Sequence, residues 1–100
     1  MKTIDIFAIE WFDKINGNSY FGANIILDYG MDDREDIPIT FQYGYGDSYI
    51  DEAKKILTEH NYISPSHTEA LWSYCKSNSI ILRTYKKNGL KREAINQGET

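Results

Sequence analysis

At 100 residues the chain has the size of one domain with one modest core, and 41% hydrophobic residues, with eight Tyr, four Phe and two Trp, exclude wholesale disorder. The longest aliphatic runs, Ile25-Ile26-Leu27 and Ile80-Ile81-Leu82, fall far short of the roughly 18 to 20 apolar residues of a membrane span; Asp5 and Glu10 interrupt the stretch a secretory signal would need; and the lone Cys75 excludes an internal disulfide, so a cytoplasmic setting is expected. The net charge of −4 is uneven, with eleven Asp/Glu against three Lys/Arg in residues 1–52 and four against eight in residues 53–100, which gives either an acidic face that attracts basic partners or an intermingled solvated surface.

Residues 3–12, TIDIFAIEWF, put Ile4, Ile6 and Ala8 on one face of a strand and Phe7, Ile9 and Trp11 on the other. A strand apolar on both faces belongs near the middle of a sheet. Asn16-Gly17 signals a hairpin, because both residues tolerate the positive φ of a tight reversal. The returning strand sends Phe21, Ala23, Ile25 and Leu27 one way and Tyr20, Gly22, Asn24 and Asp28 the other, so its second face is expected to be wet or used for function. Residues 29–36 read as a charged loop. Ile37, Ile39, Phe41 and Tyr43 then alternate with polar positions, and Pro38, which donates no backbone N–H, belongs at a strand start or on an edge.

Ser48, with Asp51 three residues later, predicts a capped helix whose apolar stripe is Tyr49 or Ile50, Ala53, Ile56 and Leu57, ending at a left-handed Asn61. Ser64-Pro65 predicts the start of a second helix, with Ala70, Leu71, Tyr74 and Cys75 inward and Asn78 at its end. Residues 79–85 form a fourth strand and residues 86–89 a turn; LKREAI is a fifth short strand or a helical turn, and residues 95–100 are expected to fray. The order βββααβ, with or without a last short strand, predicts an α+β domain over residues 1–100: an antiparallel sheet of four to five strands packed on two helices.

No pattern supports catalysis, a metal or a cofactor. Gly44 and Gly46 precede a helix as in a phosphate turn, but Asp47, Asp51 and Glu52 would repel the anion, and backbone geometry is the simpler account. DDRED, residues 32–36, lacks the alternating oxygen ligands and central glycine of a calcium loop. His60, His67 and Cys75 match no zinc spacing, and Cys75 lies on the apolar stripe, where a thiol is usually a small buried hydrophobe. The basic end, Arg83, Lys86, Lys87, Lys91 and Arg92, with Tyr85 interleaved, admits a nucleic-acid contact; its ordinary reading is a set of cations flanking a turn. Tyr20, Tyr29, Tyr43, Tyr45 and Tyr49 cluster in the acidic half, and tyrosine is favoured where proteins meet proteins.

The stretches NGNSY at 16–20, PITFQYGYGDSY at 38–49 and LWSYCKSNSIILRTY at 71–85 together resemble small proteins of phages, prophages and related mobile elements of Gram-negative bacteria. The resemblance implies a counter-defence protein of the anti-CRISPR kind. The expected activity is inhibition of a host defence protein, a CRISPR effector or nuclease, by blocking its basic nucleic-acid groove. The residues expected to dock are Asp32, Asp33, Glu35, Asp36, Asp47, Asp51 and Glu52, anchored by Tyr45 and Tyr49, in a monomer or homodimer without membrane contact. The alternative is a nucleic-acid-binding accessory protein using Arg83 to Arg92.

Overall fold

The computed structural model describes residues 1–99. β1 (Thr3–Asp13) and β2 (Asn18–Leu27) form the expected antiparallel hairpin, in register from Ile4 opposite Leu27 to Asp13 opposite Asn18. Gly17, at φ 71, makes the reversal, and the Asp13 carboxylate accepts the N–H groups of Ile15 and Asn16 at 3.0 and 3.3 Å. β3 (Glu35–Tyr43) adds antiparallel to β2, with an irregularity opposite the Phe21 to Ala23 step. α1 (Ser48–Glu59) and α2 (Leu71–Ser77) follow, and β4 (Ile81–Asn88) completes a sheet of order β3-β2-β1-β4.

The α+β class stands, but the sheet is mixed: β4 runs parallel to β1, from Thr3 opposite Ile81 to Glu10 opposite Asn88. Chain direction explains this. β3 ends at the hairpin end of the sheet, and α1 carries the chain back to where β3 began, so that the Tyr62 hydroxyl reaches the Glu35 carboxylate. A strand starting there runs the same way as β3, and therefore as β1. β4 also continues through Lys86 and Lys87, which were expected in a turn.

On one face of the sheet Ile4, Ile6, Ala8, Phe21, Ala23, Ile25, Leu27 and Ile39 meet Tyr49, Ala53 and Leu57 of α1, Ile63, and Leu71 and Cys75 of α2. α1 ends as expected, with Asn61 at φ 63. Its start differs: the Ser48 hydroxyl donates to the Tyr45 carbonyl at 2.7 Å instead of capping the helix. α2 starts later than Ser64-Pro65 suggests, because residues 66–69 close a turn of their own. In that turn Ser66 N–H donates to the Glu69 carboxylate and Glu69 N–H to the Ser66 carbonyl, each at 3.1 Å.

LKREAI is helical. α3 (Lys91–Gln97) crosses the second face of the sheet over β1, β2 and β3, so there are helices on both faces and the fifth strand is not formed among the described residues. Leu90 N–H donates to the Glu93 carboxylate at 2.8 Å and starts this helix. The face of β2 that was expected to be wet is covered: Gly22 lies under the buried Ala94, and a Cβ at position 22 would run into the Ala94 carbonyl. Residues 95–98 do not fray, since Gly98 is buried against the Ile39 carbonyl and Thr40; Thr100 lies outside the described residues.

The open end of the sheet is tied by Asp28. Its carboxylate accepts the Lys2 and Thr3 N–H groups at 2.5 and 3.1 Å, while its own N–H donates to the Thr3 carbonyl at 3.0 Å. Those N–H donors hold the Asp28 pKa below its ordinary value, against a smaller opposing effect of burial.

Two outcomes follow from this packing. Gly22→Val should cost about 1–3 kcal/mol through overpacking, read as a lower urea midpoint, and should speed amide exchange in α3 more than in β1. A depressed folded pKa means that Asp28 contributes its full stabilisation above its unfolded value near 3.8 and loses it as pH falls through the lower folded value. Asp28→Asn should therefore melt below the wild type at neutral pH, and the gap between the two should close on acidification below about pH 4.

Candidate functional site

Strand length decides whether the expected docking residues form one face. Asp32 and Asp33 lie in the loop before β3, Glu35 and Asp36 open that strand, and Asp47, Asp51 and Glu52 lie beyond its far end. Nine extended residues at about 3.3 Å each put roughly 26 Å between the two groups. The continuous acidic face is not formed. At the first end, moreover, two of the acids have partners: Arg34 grips Asp36 through two bonds of 2.8 and 3.0 Å and holds its pKa below the usual range, and Glu35 accepts the Tyr62 hydroxyl. Arg34 also sits 4.9 Å over the Tyr29 ring.

Tyr49 is not an exposed anchor. It is 5% accessible and belongs to the core, because positions 49, 53 and 57 share the inward face of α1. Tyr45, by contrast, is 64% accessible and Tyr43 61%. The turn that holds Tyr45 outward is braced from three sides. Gly46 takes φ 60 and donates its N–H to the Glu10 carboxylate at 3.0 Å. Ser48 donates to the Tyr45 carbonyl and accepts the Tyr45 N–H at 3.3 Å. Asp47, two residues on from Tyr45, is exposed, as is Asp51 on the first turn of α1, and Glu52 is half-buried. Residues 43–52 thus form an acidic, ring-bearing lobe at one end of the sheet.

The basic segment is largely engaged by its neighbours. Arg83 donates to both oxygens of the buried Asp5 carboxylate at 2.7 and 2.9 Å, and this pairing raises the guanidinium pKa above its ordinary value. Lys86 reaches the Glu10 carboxylate at 3.2 Å, and Lys91 lies 5.4 Å over the Trp11 ring. Lys87 and Arg92 are exposed.

Sequence reasoning missed the rings of the second sheet face as a group. Trp11, Tyr20 and Phe41 form a row across three strands, with centroids 5.8 Å apart for the first pair and 5.4 Å for the second, and Tyr43 meets the Tyr20 ring edge-on at 5.9 Å. On the other side of α3, Phe7 and Tyr85 stack at 4.7 Å. The signal was available: alternation assigned Phe7, Trp11 and Tyr20 to one face, and the Asn16-Gly17 turn sets Trp11 opposite Tyr20.

Cys75 is buried on α2, and desolvation pushes its thiol pKa up, away from the reactive thiolate. His60 is exposed, and His67 lines a groove of about 460 Å³ between α1 and residues 65–67 with Asp51, Lys54, Lys55 and Glu59. Among the described residues no three His, Cys, Asp or Glu side chains converge as metal ligands, and no helix is long and apolar enough to cross a membrane. No protein-family model, curated protein or solved structure matches the chain.

Proposed function

We propose that the protein is a non-catalytic binding protein whose acidic, ring-bearing lobe at residues 43–52 docks onto a basic surface of another protein and blocks what that surface binds. The exposure of Tyr43 and Tyr45, of Asp47 in the same turn and of Asp51 at the start of α1 carries this reading. Tyrosine brings rigid contact area at low entropic cost, and neighbouring carboxylates steer the encounter with a cationic surface. The resemblance to phage-type proteins directs the search to defence proteins of the bacterial cytoplasm, CRISPR effectors and nucleases with basic grooves. With Asp32 and Asp33 at the opposite end of β3, the lobe acts as a compact plug for such a groove, not as a long charged mimic of nucleic acid. The basic segment gives weaker support to the nucleic-acid reading, since Arg83, Lys86 and Lys91 already face internal partners.

The test is a titration of the protein into cleavage reactions of purified CRISPR effectors and defence nucleases. For the target so found, Asp47→Lys/Asp51→Lys should raise the inhibitory concentration at least tenfold, about 1.4 kcal/mol, and Tyr45→Ala should weaken inhibition too. Asp32→Lys/Asp33→Lys should stay within about threefold. Wild-type affinity should fall as salt rises. Undiminished inhibition by a folded Asp47→Lys/Asp51→Lys variant would remove the lobe from the mechanism.

A further inference from the structure

β4 is an edge strand, and its ladder fixes which of its backbone groups are unpaired. Ile81 N–H donates to the Lys2 carbonyl at 3.0 Å and Gly89 N–H to the Glu10 carbonyl at 2.9 Å. Odd-numbered residues therefore face β1, and Leu82, Thr84 and Lys86 direct their N–H and C=O groups outward. No strand pairs with that side among the described residues.

The two edges of the sheet differ. β3 carries Pro38, which has no N–H, and a register irregularity, both of which deter edge pairing. β4 has neither: its register with β1 is unbroken over eight residues, and only Leu82 is even half-buried. What protects it is charge, and charge is selective.

Cations stand on both faces of this edge. Arg83 and Lys87 point to the α3 side and Lys86 to the α1 side, as their partners Asp5, Ile9 and Ala8 on β1 require. Arg83 keeps a terminal nitrogen free, because only Nε and Nη2 engage Asp5. A second copy of β4 paired antiparallel about Thr84 would set Lys86 against Leu82 and Lys87 against Ile81, and so would match no cation with an anion. A nucleic-acid strand offers acceptors to the outward N–H groups but no matching row of donors to the outward C=O groups.

We propose that the outer edge of β4 takes up an acidic, extended segment of a partner protein as a fifth strand of the sheet. Its backbone pairs with Leu82, Thr84 and Lys86, and its carboxylates meet Lys87, which has no internal partner among the described residues, and the Arg83 nitrogen that Asp5 leaves free. A cleft of about 270 Å³ beside the strand, lined by Phe7, Tyr85, Lys87 and Gln97, receives one of its side chains. This surface is separate from the lobe at residues 43–52 and does not rest on the lobe's role.

The experiment uses the isotope-labelled full chain and three probes, each added to millimolar concentration. They are a synthetic peptide alternating Glu or Asp with Val, the same peptide with Lys replacing the acids, and an oligothymidylate. The acidic peptide should shift the amides of Leu82, Thr84 and Lys86 and slow their exchange at least tenfold, with smaller effects at the β1-facing residues Arg83 and Tyr85. Thr84→Pro removes one outward N–H without touching the ladder to β1 and should abolish this response. Lys87→Glu keeps every outward amide and reverses the one cation of this edge without an internal partner among the described residues; it should weaken the acidic peptide at least tenfold and favour the basic one, a result that holds even where the proline variant fails to fold. Asp47→Lys/Asp51→Lys should leave the response within threefold. Absence of protection at the three amides, equal binding of the basic peptide, or preferential binding of the oligothymidylate each overturns the proposal.

Discussion

The parallel seat of β4 against β1 is the constraint on which the rest of the molecule depends. β1 is internal because β4 lies on its far side, and its Ile4 and Ile6 are wholly buried against the helices of the core face. The buried Asp5 carboxylate, 78 residues away in sequence, is compensated only when Arg83 arrives. A buried carboxylate without a partner is strongly unfavourable, so the last strand must dock before the first is fully stable. Contacts of that sequence separation are costly to close, and the Asp5–Arg83 pair offsets part of that cost.

The same docking disposes of the charge asymmetry. The acidic first half and the basic second half do not become opposite faces, because β1 and β4 are neighbours and their Asp5–Arg83 and Glu10–Lys86 pairs join the two halves side by side. Among the exposed acids, Asp32 and Asp33 precede β3 and Asp47 and Asp51 follow it, and an extended strand holds those two groups apart. Linear charge asymmetry thus resolves into a joined interior seam with acidic ends.

Much of this was legible in the sequence. Alternation located the faces of β1 and β2, Asn16-Gly17 the hairpin, Asn61 the end of α1, and the apolar stripe the buried Cys75. The direction of β4 was not legible from local pattern, since it follows from which end of the sheet the helices return to. The identity of LKREAI was ambiguous because six residues fit either period; what decides it is Gly22 on a distant strand, which leaves room for a helix backbone. Two features of the site could have been read more closely. Tyr49 shares a helical face with Ala53 and Leu57, which places it inward, and a nine-residue strand between two acidic groups already implies that they lie at opposite ends.

Helices cover one sheet face and the middle of the other, which leaves the rims and edges of the sheet open. The lobe at residues 43–52 and the edge of β4 are at different places on that rim, yet one carboxylate touches both. Glu10 Oε1 accepts the Gly46 N–H that braces the Tyr45 turn, at 3.0 Å, and the Nζ of Lys86 on β4, at 3.2 Å. Sites that share a hydrogen-bond acceptor are not energetically additive. Drawing Lys86 away from Glu10 leaves more of that carboxylate's charge for Gly46, which strengthens the bond that braces the Tyr45 turn.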